Sequence, residues 1–243
     1  MTELTKPEEN GSGIGKSLQR PMPRRMFFRY AGGTAAAAAL LLTACNDDDT
    51  DITPPAGMDG VDLGSGDVGV LNYAYALEQL EAAFYTEVVA KSSGIFSADE
   101  MKVMSDIKAH EVAHREFFKA ALGKKAIADL EPDFSKINFN DKNSVLQTAK
   151  TFEDLGVAAY NGAGKLFTDT GNGLTYLLMG GKIVSVEARH AAAIHDLISS
   201  NGREFGEELI DANGLDRAMT PEQVLTAAGA YIKTKINYSN LPK

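Results

Sequence analysis

Between residues 67 and 200, apolar positions recur at steps of three and four in four long segments, the spacing that lines one face of an α-helix. The pattern predicts helices over residues 67–91, 97–122, 143–168 and 174–200. Ser97-Ala98-Asp99-Glu100 opens the second as a capping box, and Gly202 is the expected stop beyond the fourth. A shorter fifth helix is expected from Thr220-Pro221-Glu222, with Thr as cap and Pro at the first helical position, to about residue 235.

The connections set the topology. A few residues around Gly94 join the first two helices, and Thr170-Gly171-Asn172-Gly173 joins the third and fourth, so each pair is an antiparallel hairpin. Between the pairs, residues 123–142 contain Pro132 and are long enough to cross the length of a bundle. Short, long, short is the connectivity of an all-α four-helix bundle with one crossover.

Upstream of residue 67 the pattern changes. Arg24-Arg25-Met26-Phe27-Phe28-Arg29 precedes a short apolar run, residues 35–42, that ends in small residues, the order of a signal peptide. That run is too short to span a bilayer. The arginine pair resembles a twin-arginine signal, and Leu42-Thr43-Ala44-Cys45 resembles a bacterial lipobox. These resemblances imply export to the bacterial cell envelope, with Cys45 lipidated and anchoring the chain to a membrane on its periplasmic or outer-surface face. Residues 46–66 are rich in Asp, Pro, Gly and Thr and read as a flexible tether, which leaves residues 67–243 for the folded domain.

Charge narrows the partners. Residues 1–45 carry six Lys/Arg against three Glu, so within a total of −9 the remainder of the chain stands at −12. A domain that acidic lacks the basic face needed to neutralise phosphates, which excludes nucleic acid. Cys45 is the only cysteine, which excludes an intramolecular disulfide and a cysteine-based zinc site.

The candidate chemistry lies inside the apolar stripes. Glu78 falls among Leu71, Ala74, Ala82 and Tyr85, and Glu111 among Met104, Ile107, His114 and Phe118. Glu153 falls among Leu146, Ala149, Val157 and Tyr160, and Glu187 among Ile183, His190, Ala191 and Ile194. A buried, unpaired carboxylate costs several kcal/mol. Four facing one core require positive charge, which two divalent cations would supply. Glu111/His114 and Glu187/His190 are both Glu-x-x-His pairs, so one helix can offer an oxygen and a nitrogen to the same site.

The pattern is also duplicated. Glu78 precedes Glu111 by 33 residues and Glu153 precedes Glu187 by 34, and Tyr85 and Tyr160 each lie seven residues beyond the first Glu of their hairpin. The two hairpins thus read as an internal repeat about a pseudo-twofold axis. Glu81 is an alternative ligand to Glu78, but the repeat pairs Glu78 with Glu153. Tyr85 and Tyr160 are expected to pack and to hydrogen-bond a ligand Glu. His110 and His195 lie at the flank of the stripe as ordinary polar contacts, and Arg189 points away from the site.

One Glu from each of two helices, with Glu-x-x-His from each of the others, resembles the ligand set of the ferritin-like superfamily, which includes bacterioferritin, rubrerythrin and manganese catalase. Leu77-Glu78-Gln79-Leu80-Glu81-Ala82-Ala83-Phe84-Tyr85, together with the export signal, looks most like the exported, desiccation-related branch. The resemblance covers residues 67–200. It implies a ferritin-like bundle holding two Fe or Mn ions, with Glu111 and Glu187 bridging them, and Glu78 with His114 and Glu153 with His190 as terminal ligands.

Two functions follow as expectations. The first is an exported oxidoreductase acting on ferrous ion, oxygen or peroxide. The second is a non-catalytic, lipid-anchored metal-binding or stress protein of the envelope. A closed iron-storage shell fits less well, because a lipid anchor on every subunit sits poorly with a soluble cage. A homodimer is compatible with either reading.

Overall fold

The computed structural model describes residues 60–199 and 209–243. The expected signal segment, Cys45, most of the tether and Gly202 lie outside the described residues. Four long helices make the body: α1 (Gly66–Lys91), α2 (Ala98–Leu122), α3 (Lys142–Ala163) and α4 (Gly173–Ile198). A short α5 (Pro221–Ala228) follows, and β1 (Val61–Asp62) pairs in parallel with β2 (Ile236–Asn237). The architecture is the expected all-α bundle of two hairpins and one crossover with a short C-terminal helix. Among the described residues, no helix is long and apolar enough to cross a membrane.

The helix starts follow local chemistry. Ser97 Oγ accepts from Glu100 N at 3.3 Å while Ser97 N donates to Glu100 Oε2 at 2.8 Å, so the capping box forms on α2. Asp141 caps α3 by accepting from Asn143 N at 3.0 Å. Thr220 and Gln223 cap α5 in the same reciprocal way, with Pro221 at its first turn.

The central helix is α1. Nearly every residue from Gly69 to Tyr85 is buried, polar ones included. Two of these hold the crossover against it. Asn72 donates to the carbonyls of Leu63 (3.1 Å) and Lys125 (3.0 Å) and accepts from Ile127 N at 3.0 Å. One heptad on, Gln79 accepts from Leu130 N at 2.7 Å. Ser92, just past the helix, donates to the Phe139 carbonyl at 2.8 Å. The crossover therefore runs along α1 with its backbone satisfied by buried side chains, which is how an irregular segment can lie against a core. Beneath it Phe84 makes edge-on contacts with Phe134 and Phe152, and Phe152 with Tyr231.

Three boundaries differ from the sequence expectation. The third helix ends at Ala163, followed by one 3-10 turn over Gly164–Leu166, and does not continue to 168. The Thr168 amide, which would have extended it, donates instead to Asp67 Oδ1 at 2.8 Å. The fifth helix ends at Ala228, not near 235, because the following backbone bonds outward: Lys233 N donates to the Glu131 carbonyl at 2.8 Å, and Val61 N to the Lys235 carbonyl at 2.8 Å. The same pairing draws the last residues of the expected tether into the fold, where Leu63 is fully buried.

Candidate metal centre

Each long helix delivers one carboxylate to the middle of the bundle: Glu78 from α1, Glu111 from α2, Glu153 from α3 and Glu187 from α4. All four have 0% exposure. The two imidazoles arrive one turn further along α2 and α4, with 13% of the His114 side chain and 5% of the His190 side chain exposed. His114 Nδ1 stands 3.5 Å from Glu78 Oε2, 3.5 Å from Glu111 Oε2 and 3.0 Å from Glu187 Oε1. His190 Nδ1 stands 2.8 Å from Glu111 Oε1, 3.5 Å from Glu153 Oε2 and 3.5 Å from Glu187 Oε2. All six sequence-predicted residues converge.

They form two overlapping groups. Glu78, Glu111, His114 and Glu187 each bring one donor atom within 4.8 Å of the others, and Glu111, Glu153, Glu187 and His190 do the same. Glu111 and Glu187 belong to both. The remaining oxygens are occupied: Tyr85 Oη donates to Glu153 Oε1 at 2.5 Å, and Tyr160 Oη donates to Glu78 Oε1.

Among the described residues, eight buried donor atoms of this cluster have no hydrogen-bond partner: Glu78 Oε2, both oxygens of Glu111, His114 Nδ1, Glu153 Oε2, both oxygens of Glu187, and His190 Nδ1. Buried polar atoms are rarely orphaned, and a concentration of them in one cavity marks a position for a ligand. Four donors per group, six of them oxygens and two of them nitrogens, fit two divalent ions of the iron or manganese kind.

The electrostatics point the same way. Burial raises Glu153 to about 8, with Glu111 and Glu187 adding repulsion, and burial likewise raises Glu78 well above the carboxylate range. Burial would raise Glu111 too, but His114 and His190 outweigh it and hold it at about 2. Burial disfavours charge on His114 and His190, yet the surrounding carboxylates outweigh it and bring both to about 12. The attraction comes from carboxylate oxygens that lie 2.8–3.5 Å from each Nδ1. Without metal the cluster draws in protons; cations would take their place. Burial and the neighbouring carboxylates keep Tyr85 and Tyr160 protonated as donors.

Two features were only partly legible in the sequence. Glu81 is buried beside the centre, and the combined influence of burial and of Glu111, Glu187, Glu153 and Glu78 raises it well above the carboxylate range. It belongs to neither group of donors. Its place in the repeat is taken in the second hairpin by Gly156, where a Cβ would stand 3.0 Å from Glu81 Oε1 and 3.8 Å from Glu187 Oε2. The glycine makes the room that Glu81 fills, a relation the repeat could have disclosed. The second feature is His110. Its Nδ1 lies 2.9 Å from His190 Nε2, with the rings nearly parallel, so the polar contact expected of this flank residue is made to one of the two central imidazoles. His195 behaves as expected, meeting Asp154 at 2.8 Å, and Arg189 is exposed.

Residues 66–200, spanning α1 through α4, match the family model described as a ferritin-like domain. Comparison with curated proteins finds no match.

Proposed function

The chain belongs to the ferritin-like domain family, and from that premise we propose that it is an exported dinuclear iron or manganese protein that oxidises ferrous ion or consumes oxygen or peroxide. The observation that carries this reading is the set of eight unpartnered donor atoms in two groups that share Glu111 and Glu187. When bound, the two ions would supply a two-electron redox centre.

The protein's own residues do the rest. Glu111 and Glu187 have both oxygens free, so each can serve both groups. Glu78 and Glu153 have one oxygen engaged by a tyrosine and present only the other, which suits a terminal ligand. His114 and His190 contribute neutral nitrogen donors when the cations replace their protons. The four carboxylates are sealed from water, while the partly exposed His114 marks the side from which a molecule of the size of oxygen or peroxide would approach. The twin-arginine-like leader and the lipobox-like Cys45 support an envelope location, where either reaction would protect the cell surface.

The test is to load the chain with Fe(II) or Mn(II) and follow oxygen or peroxide consumption against the Glu111→Ala/Glu187→Ala variant. Consumption no faster than in the variant removes the redox reading. The complete burial of the four carboxylates favours a second reading, a metal pair held for structure alone. Bound metal without turnover would select it.

A further inference from the structure

The two hairpins repeat each other in their ligands but not in what stands behind them. His190 Nδ1 faces Glu111, Glu153 and Glu187, and its other nitrogen, Nε2, lies 2.9 Å from His110 Nδ1. The two rings are nearly parallel, 12° apart, with centroids at 5.1 Å. His110 immediately precedes Glu111 on α2. The residue at the matching position on α4, immediately before Glu187, is Val186, which has no group to offer a histidine. The pseudo-twofold is therefore broken behind one imidazole only.

We propose that His110 is a positioning residue for the Glu153/His190 half of the centre, making that half bind metal more tightly than the Glu78/His114 half. The inference rests on the dinuclear reading above. A nitrogen that binds a cation must present its lone pair, so His190 Nδ1 carries no proton and Nε2 carries it. His110 Nδ1 accepts that proton in a hydrogen bond, which holds one tautomer and one ring plane, and the proton of neutral His110 then sits on its own Nε2. Partners of this kind raise the affinity of a metal-binding histidine by limiting the orientations it must give up on binding. His110 lies on the exposed side of α2 and offers no donor to either group, so it acts through the neighbouring ring.

Cobalt(II) titration of the full chain, followed by calorimetry and visible absorption, tests this. Wild type is expected to take two equivalents in two unequal steps. In a Glu78→Gln/His114→Ala background, which keeps the His190 half, His110→Ala is expected to weaken binding about 10- to 100-fold. His110→Asn, whose amide oxygen can accept the same proton, recovers most of the loss. In a Glu153→Gln/His190→Ala background, His110→Ala leaves affinity unchanged. Equal losses in both backgrounds, or none in either, overturn the inference while wild-type uptake of two cobalt ions leaves the dinuclear reading standing. A wild-type chain that takes up no cobalt overturns both.

Discussion

Tyr85 Oη donates to Glu153 Oε1 at 2.5 Å, reaching from α1 to the carboxylate of α3. The bond is returned by Tyr160 on α3, which donates to Glu78 on α1. Each tyrosine thus serves the other hairpin. The exchange ties α1 to α3 through the centre and turns the free oxygens of Glu78 and Glu153 toward His114 and His190.

Removing one of these donors leaves a buried carboxylate oxygen unsatisfied. Tyr85→Phe is expected to destabilise the metal-free chain by about 1–3 kcal/mol, and to lower metal affinity about 10-fold or more through the ligand it no longer orients. Urea unfolding and metal titration check the two effects separately. The reciprocal variant, Tyr160→Phe, should behave alike; a neutral result in both would mean that the hydrogen bonds do not orient the carboxylates.

The shared position of Glu111 and Glu187 predicts a difference in stoichiometry. Glu111→Ala or Glu187→Ala is expected to lose both metals, since each residue belongs to both groups. Glu78→Ala should lose one, because it belongs to a single group. Metal content by elemental analysis after gel filtration decides this, and equal losses from all three variants would rule out the shared roles.

The pH dependence follows from the direction of the shifts. Folding raises Glu153 from 4.5 to about 8, and Glu78 and Glu81 also rise well above 4.5, so between about pH 4.5 and 8 the folded, metal-free chain holds more protons than the unfolded one. Its stability therefore falls as pH rises through that window. His114 and His190, raised from 6.5 to about 12, add to the fall above pH 6.5. Glu111, lowered from 4.5 to about 2, acts in the opposite sense, but only below 4.5. Cations replace those protons, so the rise in melting temperature on adding Mn(II) is expected to grow from pH 5 to pH 8. A shift that stays flat or shrinks over this range contradicts the assignment.

Glu81 offers a cleaner test of buried charge, because it belongs to neither ligand group. Glu81→Gln is expected to stabilise the metal-free chain, with a gain over wild type that widens from pH 5 to pH 8 as ionisation of the native carboxyl becomes more costly to suppress. Gly156→Ala should act in the opposite direction, since its Cβ would meet Glu81 Oε1 at 3.0 Å. Denaturant midpoints at the two pH values compare all three chains.

The four helices, the crossover and six converging residues were legible along the chain because helical periodicity is local. A residue's place on an apolar stripe depends on its neighbours three, four and seven positions away. A Glu at the centre of each stripe, repeated at near-equal spacing, already requires a common site. The same reasoning held for the capping box at Ser97. It overran the ends of the third and fifth helices, where the decisive bonds are distant ones: Thr168 to Asp67, and Lys233 to Glu131.

The sequence by itself determined which side chains face inward, since that depends on the helical repeat alone. Only the tertiary structure decided which of them meet across the bundle. The exchange of Tyr85 and Tyr160 between hairpins, the pairing of His110 with His190, and the space that Gly156 leaves for Glu81 all depend on how helices distant in sequence are set side by side. That placement comes from packing and from the crossover held by Asn72 and Gln79, contacts between positions about fifty residues apart that no local pattern encodes.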